Sequence, residues 1–129
     1  MNNKELIKLA LEARENAYTP YSKFKVGAAI LTKSGKIFTG CNIESASYTP
    51  TICAERTALA KCVSEGHTDI EKIAVVGSLQ KISYPCGVCR QFLREFGKDI
   101  IIISATGEDN YTEYKLSEIL PNSFGPEDL

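Results

Sequence analysis

Leu6, Leu9, Ala10, Ala13 and Ala17 recur at helical spacing behind Asn2, and Glu5 stands three residues after Asn2 in the form of a capping box. The pattern predicts a helix over 3–18 that stops before Pro20. The pattern then changes period. Val26, Ala28 and Ile30 alternate with Lys25, Gly27 and Ala29, which predicts a strand over 24–31; a Ser34-Gly35 turn leads to a second strand over 36–41, an antiparallel hairpin. Residues 42–48 (NIESASY) are polar without periodicity and read as a loop. Thr49-Pro50 has the form of an N-cap followed by proline in the first turn, so a second helix is predicted from there to Glu65, with Gly66 as its stop.

The short apolar run 72–77 (KIAVVG) suits a buried strand, Tyr84-Pro85 opens a third helix through Phe96, and Gly97 ends it. Residues 99–105 (DIIIISA) are the most hydrophobic and β-branched stretch and predict a central strand. An edge strand over 111–116 and a last helical turn over 117–120 complete the order α-β-β-α-β-α-β-β-α. That order predicts an α/β fold, a three-layer α-β-α sandwich on a mixed five-stranded sheet, with 1–129 forming one domain.

Charge narrows the function classes. Fifteen Lys+Arg against sixteen Asp+Glu leave a net charge of −1 over 129 residues, so no basic excess exists to neutralise phosphates and no nucleic-acid partner is expected. The longest apolar runs, such as 100–103, fall far short of the ~20 residues of a membrane span, and no membrane association is expected. The polar start of the chain, without an apolar signal core, gives the expectation of a cytoplasmic protein.

Five cysteines are an odd number, and a reducing compartment disfavours disulfides, so metal binding or thiol chemistry better explains a cluster. Cys53, Cys86 and Cys89 lie at predicted helix starts, where the helix dipole favours the thiolate; Cys86 and Cys89, at i and i+3, share a helical face. Three thiolates at one Zn²⁺ would leave the fourth tetrahedral position open to water, as in a catalytic site. A closed structural site with Cys41 as fourth ligand and a redox C-x-x-C pair also fit the spacing. Cys62 is nine residues past Cys53, roughly 13 Å along a helix, and too distant. Glu55 shares a site with Cys53 only off a helix end, where a carboxylate beside metal-activated water would serve as proton carrier.

Cys53-Ala54-Glu55, then 29 residues, then Pro85-Cys86-Gly87-Val88-Cys89 resembles the zinc nucleoside deaminase signature H-x-E…P-C-x-x-C, with Cys in place of His. Phe24-Lys25-Val26-Gly27-Ala28-Ala29, Gly40-Cys41-Asn42-Ile43-Glu44, Cys53 to Ala58 and Pro85 to Gln91 resemble, in order, segments of the small three-cysteine cytidine deaminases. The resemblance implies a cytidine deaminase-like fold and hydrolytic deamination of cytidine and 2′-deoxycytidine to uridine and 2′-deoxyuridine, a pyrimidine-salvage reaction. It implies one Zn²⁺ per subunit on Cys53, Cys86 and Cys89, with Glu55 as catalytic proton shuttle. It further implies Phe24 packing on the base, Asn42 and Glu44 at the sugar, and the backbone around Ala54 reading the base's amide edge.

Tyr48 and Phe124 match positions that neighbouring subunits contribute in the family's homotetramers. Three thiolates make the zinc formally −1, and Arg56 and the positive ends of the two helices are the candidates to draw charge from the sulfurs. The lone His67 is expected in solvent, and Cys41 and Cys62 as buried small hydrophobes. Ser45, where the family often has Asn, leaves base selectivity open. The competing expectations are a deaminase of another cytosine-bearing small molecule, a zinc-stabilised interaction domain and a thiol redox protein.

Overall fold

The computed structural model describes residues 1–129. Its elements are α1 (Asn3–Arg14), β1 (Gly27–Thr32), β2 (Ile37–Cys41), α2 (Ala54–Ser64), β3 (Ile70–Val76), α3 (Gly87–Arg94), β4 (Ile101–Gly107), β5 (Asn110–Lys115) and α4 (Leu116–Ile119), with a closing 3-10 turn at Pro126–Asp128. The five strands form one sheet in the order β2-β1-β3-β4-β5. Only β3 and β4 run parallel; the other neighbours are antiparallel. The α/β class, the mixed five-stranded sheet and the hairpin are as expected from the sequence. No helix is long and apolar enough to cross a membrane.

Each face of the sheet carries its own core. Alternate residues of β1 face opposite ways: Ala28 and Ile30 pack with Ala58 and Leu59 of α2 and Leu93 of α3, whereas Ala29 and Leu31 pack with Leu6, Ile7 and Ala10 of α1. Burying Leu6 and Ile7 completely contributes roughly 3–6 kcal/mol to holding α1 on the sheet. All six positions of β1 are therefore buried, although its sequence alternates. Two glycines permit this close layering. A Cβ on Gly27 would stand 2.6 Å from the Arg14 nitrogen in α1, and one on Gly40 would stand 2.5 Å from the Ala58 nitrogen and 2.7 Å from the Ala54 oxygen in α2.

Other boundaries move by a residue or more, and three differ from the sequence reading through a contact distant in sequence. α1 ends at Arg14 instead of residue 18, because Tyr18 joins the loop after β2: its N–H donates to the Asn42 carbonyl (3.0 Å) and its carbonyl accepts from Glu44 N–H (2.9 Å). β1 begins at Gly27 instead of residue 24. Before it the Asn42 side chain replaces a strand ladder, accepting from Val26 N–H (2.9 Å) and donating to the Phe24 carbonyl (2.8 Å). α2 begins at Ala54 instead of at Pro50, since Ile52 exchanges two backbone hydrogen bonds of 3.0 Å with Ile43 and holds the preceding segment extended.

The register positions the site. Gly27 at the start of β1 lies opposite both Cys41, the last residue of β2, and Val76, the last residue of β3. The segments leading into α2 and α3 therefore leave from the same end of the sheet, on either side of β1. Phe24, Asn42 and Glu44 all adjoin that end.

Candidate active site

Cys53 is the N-cap of α2 and Cys86 the N-cap of α3, both with extended backbone and neither with a side-chain capping bond. Their sulfurs are thus left free to point elsewhere. Cys89 lies one turn into α3 and is buried. The Cys53 and Cys86 sulfurs are 3.9 Å apart, those of Cys86 and Cys89 3.5 Å, and all three lie within 4.8 Å of one another. A tetrahedral zinc with Zn–S bonds of about 2.3 Å requires sulfur–sulfur edges of about 3.8 Å, so the donor set fits zinc. Cys41 and Cys62 stand outside this set, so neither supplies a fourth thiolate. Cys62 is buried as expected, but Cys41 at the strand end is only half-buried.

Glu55 occupies the second position of α2 and is 5% exposed. It stands beside the sulfur cluster and is no member of it. Burial, reinforced by the negative charge of Cys53, pushes its carboxyl up to about 7. The Cys53 thiol is held down at about 5 by hydrogen bonds from Cys89 and Arg56. Cys89 is driven the other way, as donor to Cys53 in a buried place. Arg56 places Nη2 3.6 Å from the Cys53 sulfur, and its Nε is buried without a partner. The backbone N–H groups of Ala54, Glu55 and Arg56 have no acceptor within the helix, which leaves a positive helix end facing the thiols.

Asn42 and Glu44 are committed further than their sequence context shows. Besides the two Asn42 bonds to Phe24 and Val26, Glu44 Oε1 accepts from the N–H groups of Tyr21 (3.0 Å) and Ser22 (3.1 Å), and its Oε2 accepts from the Ser22 hydroxyl. These bonds hold the Glu44 carboxyl below its ordinary value. Together the two residues brace the segment 20–26 at the sheet end, each with hydrogen-bonding capacity left over. The Phe24 ring lies over Gly77, where a Cβ would stand 2.9 Å from Cζ, so this glycine makes room for it.

Three aromatic residues of the reading expose their rings: Phe24 at 44%, Tyr48 at 77% and Phe124 at 55%. Tyr48 holds φ = 64°, a left-handed backbone that bulky residues rarely adopt. His67 departs from its expected place in solvent: it is half-buried, with its ring 5.5 Å from that of Phe38.

Arg90, Gln91 and Arg94 of α3 were not singled out by sequence reasoning. Arg90 donates to the carbonyls of Pro85 (2.7 Å) and Ile119 (2.8 Å), tying the approach to Cys86 to α4. Gln91 and Arg94 bind the C-terminal segment. The only local signal was the polar side chains interleaved with Phe92 and Leu93 after Cys89, which is equally that of a solvated face.

Residues 1–105 match the family described as "Cytidine and deoxycytidylate deaminase zinc-binding region". The chain is 47% identical to a cytidine deaminase of Halalkalibacterium halodurans over 100% of its own length and 98% of the relative's. It is 43% identical to a cytidine deaminase of Sporosarcina psychrophila, over 100% and 96%. Among solved structures, a cytidine deaminase from Burkholderia pseudomallei superposes with a TM-score of 0.91 at 42% identity, covering 96% of this chain and 100% of that one. One from Mycobacterium tuberculosis superposes with a TM-score of 0.85 at 36% identity, covering 97% and 98%.

Proposed function

The chain belongs to the cytidine and deoxycytidylate deaminase zinc-binding family, and on that premise we propose that it hydrolyses cytidine and 2′-deoxycytidine to uridine and 2′-deoxyuridine. Water enters at C4 and ammonia leaves. The observation that carries this reading is the meeting of three thiols from two helix starts beside the buried carboxyl of Glu55. Cys53, Cys86 and Cys89 hold the zinc, which supplies the Lewis acidity that brings the ionisation of water to near ~7.

Glu55 works from the first turn of α2. Its carboxylate takes one proton from the attacking water and gives it to the ring nitrogen, then takes the second from the hydroxyl now on C4 and gives it to the leaving amine. Burial keeps its carboxyl in a range where it both accepts and releases a proton near neutrality. The unpaired N–H at Ala54 offers a donor to the carbonyl of the base. The lone pairs that Glu44 keeps and the remaining N–H of Asn42 are suited to sugar hydroxyls. A carboxylate there opposes phosphate, which favours free nucleosides over nucleotides. Phe24, beside Gly77 at the same sheet end, offers its exposed face to the pyrimidine.

Arg56 draws charge from the three-sulfur set through Cys53. We place the enzyme in a homotetramer in which Tyr48 and Phe124 reach the sites of neighbouring copies. Their exposed rings, with Val88 at 62% and Phe92 at 41% on the outer side of α3, support this. A cytoplasmic place in pyrimidine salvage goes with the reading.

The test is ammonia release from free cytidine, with Glu55→Gln alongside at equal zinc content. Turnover by the parent and its loss in the variant, by a factor on the order of 10²–10⁴, are expected. A zinc-loaded parent inert toward cytidine but active on another cytosine-bearing compound would redirect the substrate. Inertness toward all of them would leave zinc a structural role.

A further inference from the structure

Residues 122–129 leave α4 and return along α3, the helix that contributes two of the three thiols. The return is held from one side. Arg94, 4% exposed, donates Nε to the Ser123 hydroxyl (2.7 Å) and pairs both terminal nitrogens with the Glu127 carboxylate. Between those two anchors Gly125 lies flat on the guanidinium: a Cβ there would stand 2.6 Å from Nη2, closer than any side chain allows. Gln91, one turn earlier on α3, donates to the Phe124 carbonyl (2.9 Å), and Asp128 accepts from the Gly125 N–H (2.9 Å). Ser123, Gly125 and Glu127 therefore turn inward onto Arg94, and Phe124 between them turns its ring outward.

A segment of this composition, with Pro, Asn, Ser and Gly around one aromatic residue, has little apolar surface of its own to bury. A buried arginine bonded on three edges is its principal attachment to the fold. The planar fork of arginine suits this task, because it grips a carboxylate and a hydroxyl at once while its face accepts a glycine. Lysine has neither the fork nor the face.

We propose that Arg94 is the positioning residue for Phe124: by clamping Ser123, Gly125 and Glu127 it fixes the outward ring relative to α3, so that the ring meets nucleoside bound by a neighbouring copy. The proposal rests on the reading that Phe124 contacts substrate, and it adds the element that makes the contact rigid. Fixing the ring in advance removes an ordering cost from substrate binding, so the clamp acts on KM and leaves the chemical step alone.

The chain has no tryptophan, so Phe124→Trp places a single indole reporter in the zinc-loaded enzyme. Adding Arg94→Ala is expected to lower the indole's fluorescence anisotropy. Without the reporter, Arg94→Ala should raise the KM for cytidine at least threefold with kcat within twofold of the parent. Arg94→Lys should restore little. In a Phe124→Ala background, Arg94→Ala should raise KM no further. Glu127→Ala, on a half-exposed side chain, repeats the test if Arg94→Ala does not fold.

Unchanged anisotropy, or an equal rise in KM whether or not Phe124 is present, would overturn the proposal. Phe124→Ala with unaltered KM would overturn the substrate contact itself and with it the role of Arg94. That failure is distinguishable, because the anisotropy would still fall when the clamp is broken.

Discussion

Arg56 Nη2 stands 3.6 Å from the sulfur of Cys53, reaching back across the first turn of α2 to the residue that caps it. A three-residue separation at a helix start brings the two side chains together on one side. On the proposed reading, the contact offsets part of the charge of three thiolates that would otherwise make a dipositive ion a poor Lewis acid.

Replacing Arg56 with Gln keeps a hydrogen-bond donor but removes the positive charge. Turnover of cytidine should fall on the order of 10- to 100-fold, with zinc retained at one ion per chain. Measuring kcat beside zinc stoichiometry decides it, and full activity in the variant would leave Arg56 a bystander.

The cysteines divide cleanly into a cluster of three and two that stand apart from it. Cys41→Ser, at a half-buried strand end outside the sulfur cluster, should keep one zinc per chain and near-parental turnover. Cys89→Ser, inside the cluster, should lose both. Metal analysis after dialysis against a mild chelator reads the difference directly.

Gly40 couples the sheet to the thiol cluster. A Cβ at that position meets the Ala58 nitrogen at 2.5 Å and the Ala54 oxygen at 2.7 Å, both backbone atoms that cannot yield without moving α2. Gly40→Ala should cost about 1–3 kcal/mol of stability and weaken zinc retention, because Cys53 rides on the displaced helix start. Thermal unfolding and a zinc competition assay check the two consequences together.

The pairing of Glu127 with Arg94 gives the C-terminal segment a dependence on pH. Arg94 beside it holds the Glu127 carboxyl at about 2, below its ordinary 4.5, with Lys98 adding to the effect. Arg94 faces Asp128 and Glu95 as well. A carboxyl whose folded value is lowered stabilises the fold fully above the unfolded value, and the gain is lost as pH falls toward the folded one. Glu127→Gln should therefore melt below the parent at neutral pH, with the gap narrowing below about pH 4.5 and gone once pH falls below about 2. A gap that persists unchanged in acid would show that packing, and not charge, holds the segment.

Much of this protein is determined locally and could be read from the chain. The β1–β2 hairpin follows from alternation and a Ser34-Gly35 turn, and β4 from a run of β-branched residues. The i, i+3 spacing of Cys86 and Cys89, and the C-A-E to P-C-x-x-C separation, depend only on positions along the chain. What tertiary structure alone decided were the places where a nonlocal hydrogen bond outcompetes a local preference. Thr49-Pro50 has the form of a helix start, yet pairing of Ile52 with Ile43 delays α2 to Ala54 and so turns Cys53 into its cap. Asn42 looks like a loop residue and acts as a piece of strand for Phe24 and Val26. Arg94 looks like a solvated helix residue until a segment 29–33 positions later folds back to bury it. Periodicity and capping report the preferences of a residue's neighbours in sequence, whereas these three outcomes were set by partners that only the closed sheet and the returning tail bring within reach.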